Sequence, residues 1–129
     1  MKLQMNQKSN YEWIGAYCLS QIGVTTDYKL EWKATRYFVG GKIFAMCCGD
    51  KEGNPIVTLK LAPAFGYLLR QQYEHIIPGY HMNKEHWNSL YLEGDVPDDI
   101  VQTMIRESHR LVLSSLSKKV QKEIEEATS

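Results

Sequence analysis

The chain has 129 residues, 43% of them hydrophobic, with 15 Lys plus Arg set against 15 Asp plus Glu. These values fit one folded domain and argue against a disordered or fibrous chain. A formal net charge of zero argues against a domain built chiefly to grip phosphate backbone, though a local basic face stays open.

In chain order, Ser9 or Asn10 can cap a first helix, in which Ile14, Cys18 and Ile22 recur at i, i+4 and i+8. That helix should stop between Gln21 and Gly23. Leu30–Ala34 alternates apolar and charged residues, as a half-exposed strand does. Arg36–Val39 and Lys42–Cys48 flank Gly40-Gly41, a two-residue hairpin signal. The polar turn Asp50–Pro55 leads into Ile56–Leu61, where Val57, Leu59 and Leu61 share one face and Ile56, Thr58 and Lys60 the other. Pro63 suits the first turn of a second helix, with Phe65, Leu68, Leu69 and Tyr73 on one side of it. Pro78-Gly79 breaks the chain and His86–Leu92 forms another predicted strand. The acids of Gly94–Asp99 open a long helix to about Leu116, whose buried stripe is Ile100, Val101, Met104, Ile105, Ser108 and Val112. Lys118–Glu126 is polar and helix-prone, a solvated extension. Strands joined by hairpin turns predict one α+β domain over residues 1–129, an antiparallel sheet with helices on one face.

Met1–Lys8 lacks the apolar core of a signal peptide, and no apolar run approaches the ~18 residues of a membrane span. A cytoplasmic protein without a membrane partner is expected. The three cysteines, Cys18, Cys47 and Cys48, fit reduced thiols. Cys47 and Cys48 point to opposite sides of a strand and should not pair with each other.

Catalytic and metal patterns are missing from the sequence. His75, His81 and His86 stand without a cysteine pair at zinc-ligand spacing. Cys47 and Cys48 sit in an apolar strand, where a buried thiol is inert. Ser108 and His109 are neighbours on a helix, so their side chains diverge and form no dyad. Gly40-Gly41-Lys42 lacks phosphate-loop spacing. Helix-start chemistry accounts for Asp95, Asp98 and Asp99. The expectation is a protein that is not an enzyme and carries no cofactor and no metal. The densest cluster of unusual residues is Pro78–Asn88, where His81, Lys84, His86 and Trp87 can form a binding edge or anchor a loop.

The same segment, PGYHMNKEHWNSL over residues 78–90, closely resembles the H-[LM]-N-K-x-H-W-[NI]-[ST] signature of the MmcQ/YjbR family of small bacterial proteins. Three further stretches agree in order: GKIFA at Gly41–Ala45, Leu59-Lys60-Leu61 followed by Pro63, and SHRLV at Ser108–Val112. The resemblance runs from about residue 10 to 118, with 119–129 outside it. Ile22-Gly23 stands where the family often has Pro-Gly. The resemblance implies a frataxin-like (CyaY-like) α+β fold, also compared to a double-wing DNA-binding arrangement.

It also implies DNA binding, with Lys42, Lys60, Lys84, His86 and Trp87 as the residues carried over; the small local charge excess would make that contact weak and non-specific. Lys and Arg outnumber Asp and Glu between Lys29 and Lys84, while Glu93–Asp99 is acidic, so the sheet half is mildly basic. The alternatives are a protein-interaction or regulatory module, which net neutrality suits, and a small-anion pocket around Lys60, His81, Lys84 and His86. A monomer or weak dimer is expected. Frataxin-type iron surfaces use an acidic ridge on the first helix; here that helix offers only Glu12, with Asp27 later, so iron binding is not expected.

Overall fold

The computed structural model describes residues 2–79 and 82–128. Helix α1 (Lys2–Leu19) is followed by β1 (Val24–Lys29), a 3-10 turn (Leu30–Trp32), β2 (Ala34–Val39), β3 (Lys42–Gly49) and β4 (Pro55–Lys60). Then come α2 (Pro63–Gln72), β5 (Ile76–Pro78), β6 (Trp87–Tyr91), α3 (Asp98–Ser115) and α4 (Lys118–Thr128). The six strands form one sheet in the order β1-β2-β3-β4-β6-β5, antiparallel at every step. Gly40 and Gly41 close the β2–β3 hairpin with φ of 57° and 80°, a conformation that side chains with a Cβ disfavour.

Alternation along the central strands fixes the layers. Phe44, Ala45, Cys47, Val57, Leu59 and Leu90 face the helices and join Ile14, Cys18, Leu69, Met104, Ile105 and Val112 in the main core. Each large apolar side chain buried there contributes about 1.5–3 kcal/mol. Ala34, Met46, Cys48 and Ile56 form a second, smaller cluster on the other face, with Met82 and Tyr91 against it. Cys47 and Cys48 therefore lie on opposite sides of the sheet, and all three cysteines are free and buried.

Several expectations need correction. Leu30–Ala34 is not a strand: Leu30–Trp32 is a 3-10 turn closed by Lys33 in the left-handed region (φ 50°), and β2 starts at Ala34. Five alternating residues fit a single tight turn as well as a short strand, and the chain must reverse here between β1 and β2. β1 escaped detection because its mostly polar sequence sits exposed at the sheet edge. β5 has only three residues. Ser9 and Asn10 lie inside α1 rather than at its cap, because the residues before them are good helix formers. Leu68 is exposed, so α2 buries a narrower stripe than its apolar residues suggest. The tail beyond Lys118 is not simply solvated. Ser117 Oγ accepts the Val120 N–H (3.2 Å), starting α4, and Ile124 packs against the main core beside Gly23. Among the described residues, no helix is long and apolar enough to cross a membrane.

Candidate functional site

The sheet face away from the helices is only partly covered. Cross-strand register places Asp27, Arg36 and Met46 in one row on this face, and Lys29 beside Ala34 in the next. Thr58 and Ser89 are cross-strand partners towards the other end. There the two hydroxyls are fully buried and share a hydrogen bond of 2.7 Å. Towards β2, the face opens into a cleft of about 490 Å³ lined by Glu31, Trp32, Ala34, Ile43, Met46, Cys48 and Met82. Apart from Glu31, its lining is apolar or sulfur-bearing. Trp32, 54% exposed, forms part of its wall. The Lys29 ammonium and the Arg36 guanidinium each lie 5.3 Å from the Trp32 ring centroid. Arg36 also chelates Asp27 through two hydrogen bonds, 2.8 and 2.5 Å. Its charge is matched within the chain, and the guanidinium holds the Asp27 carboxyl below its ordinary value.

The β5–β6 loop carries the conspicuous Asn-Lys-Glu-His-Trp-Asn run, and its side chains are largely engaged in building the loop. Asn83 Oδ1 accepts the N–H groups of Glu85 (2.8 Å) and His86 (3.4 Å), while the Asn83 carbonyl accepts that of Trp87 (3.0 Å). Lys84 Nζ donates to the Gly79 carbonyl (3.0 Å), and the Gly79 N–H donates to the Trp87 carbonyl (2.6 Å). A Cβ on Gly79 would lie 2.7 Å from the Trp87 Cβ, so the motif needs glycine there. Asn88, fully buried, accepts from Arg70 of α2 and approaches Gly66 closely, which pins α2 to β6.

Of the residues singled out from sequence, Lys60 and Trp87 are cross-strand partners, both half-buried. His86 is half-buried and its carbonyl accepts the Leu61 N–H (2.8 Å). Lys84 is exposed but tied to its own loop. Lys42 is exposed and precedes Ile43 in β3, so the pleat sends it to the side opposite the cleft. His81 lies outside the described residues.

Ser108 and His109 serve separate ends. Ser108 Oγ donates to the Phe44 carbonyl (2.5 Å) and accepts the Lys60 N–H (2.8 Å). Phe44 is the extra residue of a β-bulge, since Tyr37 pairs with Ala45 and Phe38 with Ile43. The β3–β4 register stops at Ala45 and Leu59, so the serine bridges the gap left where the ladder ends. His109 Nε2 lies 2.8 Å from the Ile22 carbonyl, with its ring edge-on to Phe44. Burial pushes the Cys18 thiol up to about 12, and pushes Cys47 and Cys48 up as well, Cys48 further through the nearby Asp50 carboxylate. These thiols stay protonated and unreactive in the folded state. No group of three His, Cys, Asp or Glu side chains able to hold a metal occurs among the described residues.

Sequence reasoning missed Trp32, Met46, Cys48 and Met82 as site residues. The available signal was β3 itself: it is apolar on both sides of the pleat, which a strand exposed on one face has no reason to be.

Comparison with known proteins agrees with this architecture. The profile of the YjbR family matches residues 19–111. The chain is 34% identical to the protein YjbR of Escherichia coli K12 over 106 residues, covering 82% of this chain and 89% of the other. It is 40% identical to the protein YbdF of Escherichia coli O157:H7 over 86 residues, 67% of this chain and 70% of the relative. Among solved structures, the Deinococcus radiodurans protein DR2400, of domain family DUF419, superposes with a TM-score of 0.76 at 27% identity, covering 84% of this chain and 83% of that one. A Pseudomonas syringae protein superposes with a TM-score of 0.68 at 23% identity, over 79% and 97% of the two chains, and shares the fold.

Proposed function

We propose that this chain, which belongs to the YjbR family, is a non-enzymatic binding module that receives an apolar group of a partner in the cleft between Trp32 and Met82. The observation that carries the proposal is the cleft itself: about 490 Å³ of apolar lining on the one sheet face that no described helix covers, beside a half-exposed indole. That volume falls in the range of pockets that hold small molecules or large side chains. The protonated thiols and the structural duties of Ser108 and His109 support a binding role over a catalytic one. The frataxin-like kinship belongs to the same proposal, supported by an antiparallel sheet with α1 and α3 packed on one face.

The test is titration with 8-anilino-1-naphthalenesulfonate, mapped by amide chemical shifts. Saturable binding that moves the Ala34, Met46 and Cys48 amides, and is lost in Trp32→Ala and Ala34→Leu, is the expected result. Binding indifferent to both substitutions would refute the proposal.

Nucleic-acid binding is a second reading, favoured by one observation. Lys60 and Trp87 pair across β4 and β6, placing a cation beside an indole as stacking platforms for single strands do. It has less support, because Lys84 is held by Gly79 and Arg36 by Asp27. Anisotropy of a fluorescent oligonucleotide at ~50 and ~200 mM salt decides it: phosphate contacts predict a steep loss across that range. Absence of binding at the lower salt would retire it.

A further inference from the structure

We propose that the free edge of β1 pairs antiparallel with the β1 of a second copy of this chain, centred on Tyr28. This goes beyond the cleft reading and stands independently of it. β1 ends the sheet order, so among the described residues one side of its backbone lacks a strand neighbour. Natural edges are blunted by shortness, proline or charge; β5 at the opposite edge has the first two, with three residues ending in Pro78, whereas β1 carries only the charges of Asp27 and Lys29. β1 has six residues and no proline. Three of the chain's large exposed apolar side chains cluster here: Tyr28 at 58%, Leu30 at 72% and Trp32 at 54% exposure.

Charge selects both partner and register. Directly opposed residues of an antiparallel pair project to the same face. With Tyr28 opposite Tyr28 of the second copy, Asp27 of each chain faces Lys29 of the other, and the pairing is confined to Asp27–Lys29 because the chain turns at Leu30–Trp32. Asp27 is already fixed in place by Arg36, with 45% of its side chain exposed. Sliding by two residues sets Asp27 against Asp27 in one direction. In the other it sets Lys29 against Lys29. A one-residue slip exchanges the two faces. A net charge of zero imposes no long-range repulsion between copies.

Sedimentation equilibrium of the full chain, from micromolar to near-millimolar concentration, tests this. The wild type should show a reversible dimer. Asp27→Lys and Lys29→Asp should each weaken it about tenfold or more, and a mixture of the two variants should regain a one-to-one heterodimer. In that mixture the lysine introduced in one variant faces the aspartate introduced in the other, and the retained Lys29 faces the retained Asp27. Lys29→Asp leaves the Asp27–Arg36 pair intact and guards against misfolding as the cause. Tyr28→Cys, at an exposed site on the two-fold axis, should form a disulfide-linked dimer on mild oxidation, whereas Thr25→Cys should not. A wild type that stays monomeric throughout, a dimer indifferent to either reversal, a mixture that stays monomeric, or equal crosslinking at residues 25 and 28 overturns the proposal.

Discussion

Ser108→Ala removes one hydroxyl and leaves two backbone groups without their partner. The Phe44 carbonyl loses its donor and the Lys60 N–H its acceptor, at a serine with no solvent exposure. A buried polar group left unsatisfied costs about 1–3 kcal/mol, so the pair should cost about 2–5 kcal/mol. Unfolding a chain of this length carries roughly 0.27 kcal/mol/K of entropy, at about 2.1 cal/mol/K per residue. A loss of about 3 kcal/mol therefore lowers Tm by roughly 11 °C. Urea unfolding gives the free energy, and amide hydrogen exchange at Lys60 gives the location. Ser115→Ala is the control, because its hydroxyl bonds only within its own helix, to Val112. A loss below about 1 kcal/mol for Ser108→Ala, with Lys60 exchange unchanged, would refute the idea that this serine closes the end of the β3–β4 ladder.

Gly79→Ala should destabilise by about 1–3 kcal/mol in a melting experiment, because its Cβ meets the Trp87 Cβ and backbone, which have little room to yield. Asn83→Ala should cost about 1 kcal/mol and speed exchange of the Glu85 and His86 amides, which lose their acceptor. Alkaline pH should also destabilise the fold. Cys18 keeps its proton up to about pH 12 when folded but releases it near 9.0 when unfolded. Stability is thus complete below about pH 9 and falls by about 1.4 kcal/mol per unit towards pH 12. Rapid native-state reaction of Cys18 with a thiol reagent near neutral pH would contradict this.

Much of the architecture was legible because it rests on local rules. Val57, Leu59 and Leu61 declared a buried face by alternation, Gly40-Gly41 declared the hairpin, and the stripe from Val101 to Val112 declared α3. What escaped depended on tertiary position. β1 is exposed and so carries no alternating pattern, β5 is too short for one, and Leu30–Trp32 has a pattern that suits two structures. The candidate site was legible only in part. The segment from residue 78 to 90 stood out, but its Asn, Lys and Gly turned out to hold a loop together, because local spacing does not distinguish a side chain turned outward from one turned onto its own backbone. The cleft was not legible: Trp32, Met46 and Met82 come from three separate segments and meet only in the fold.

The two adjacent cysteines give this molecule a built-in pair of clocks. Cys47 belongs to the main core and Cys48 to the small cluster against Met82. Lifting the loop that carries Met82 opens the face of Cys48; Cys47 is reached from the opposite face, beside Tyr11 and Tyr37. Pulsed alkylation should therefore label the two neighbours at different rates, with Cys48 timing the opening of one face and Cys47 that of the other.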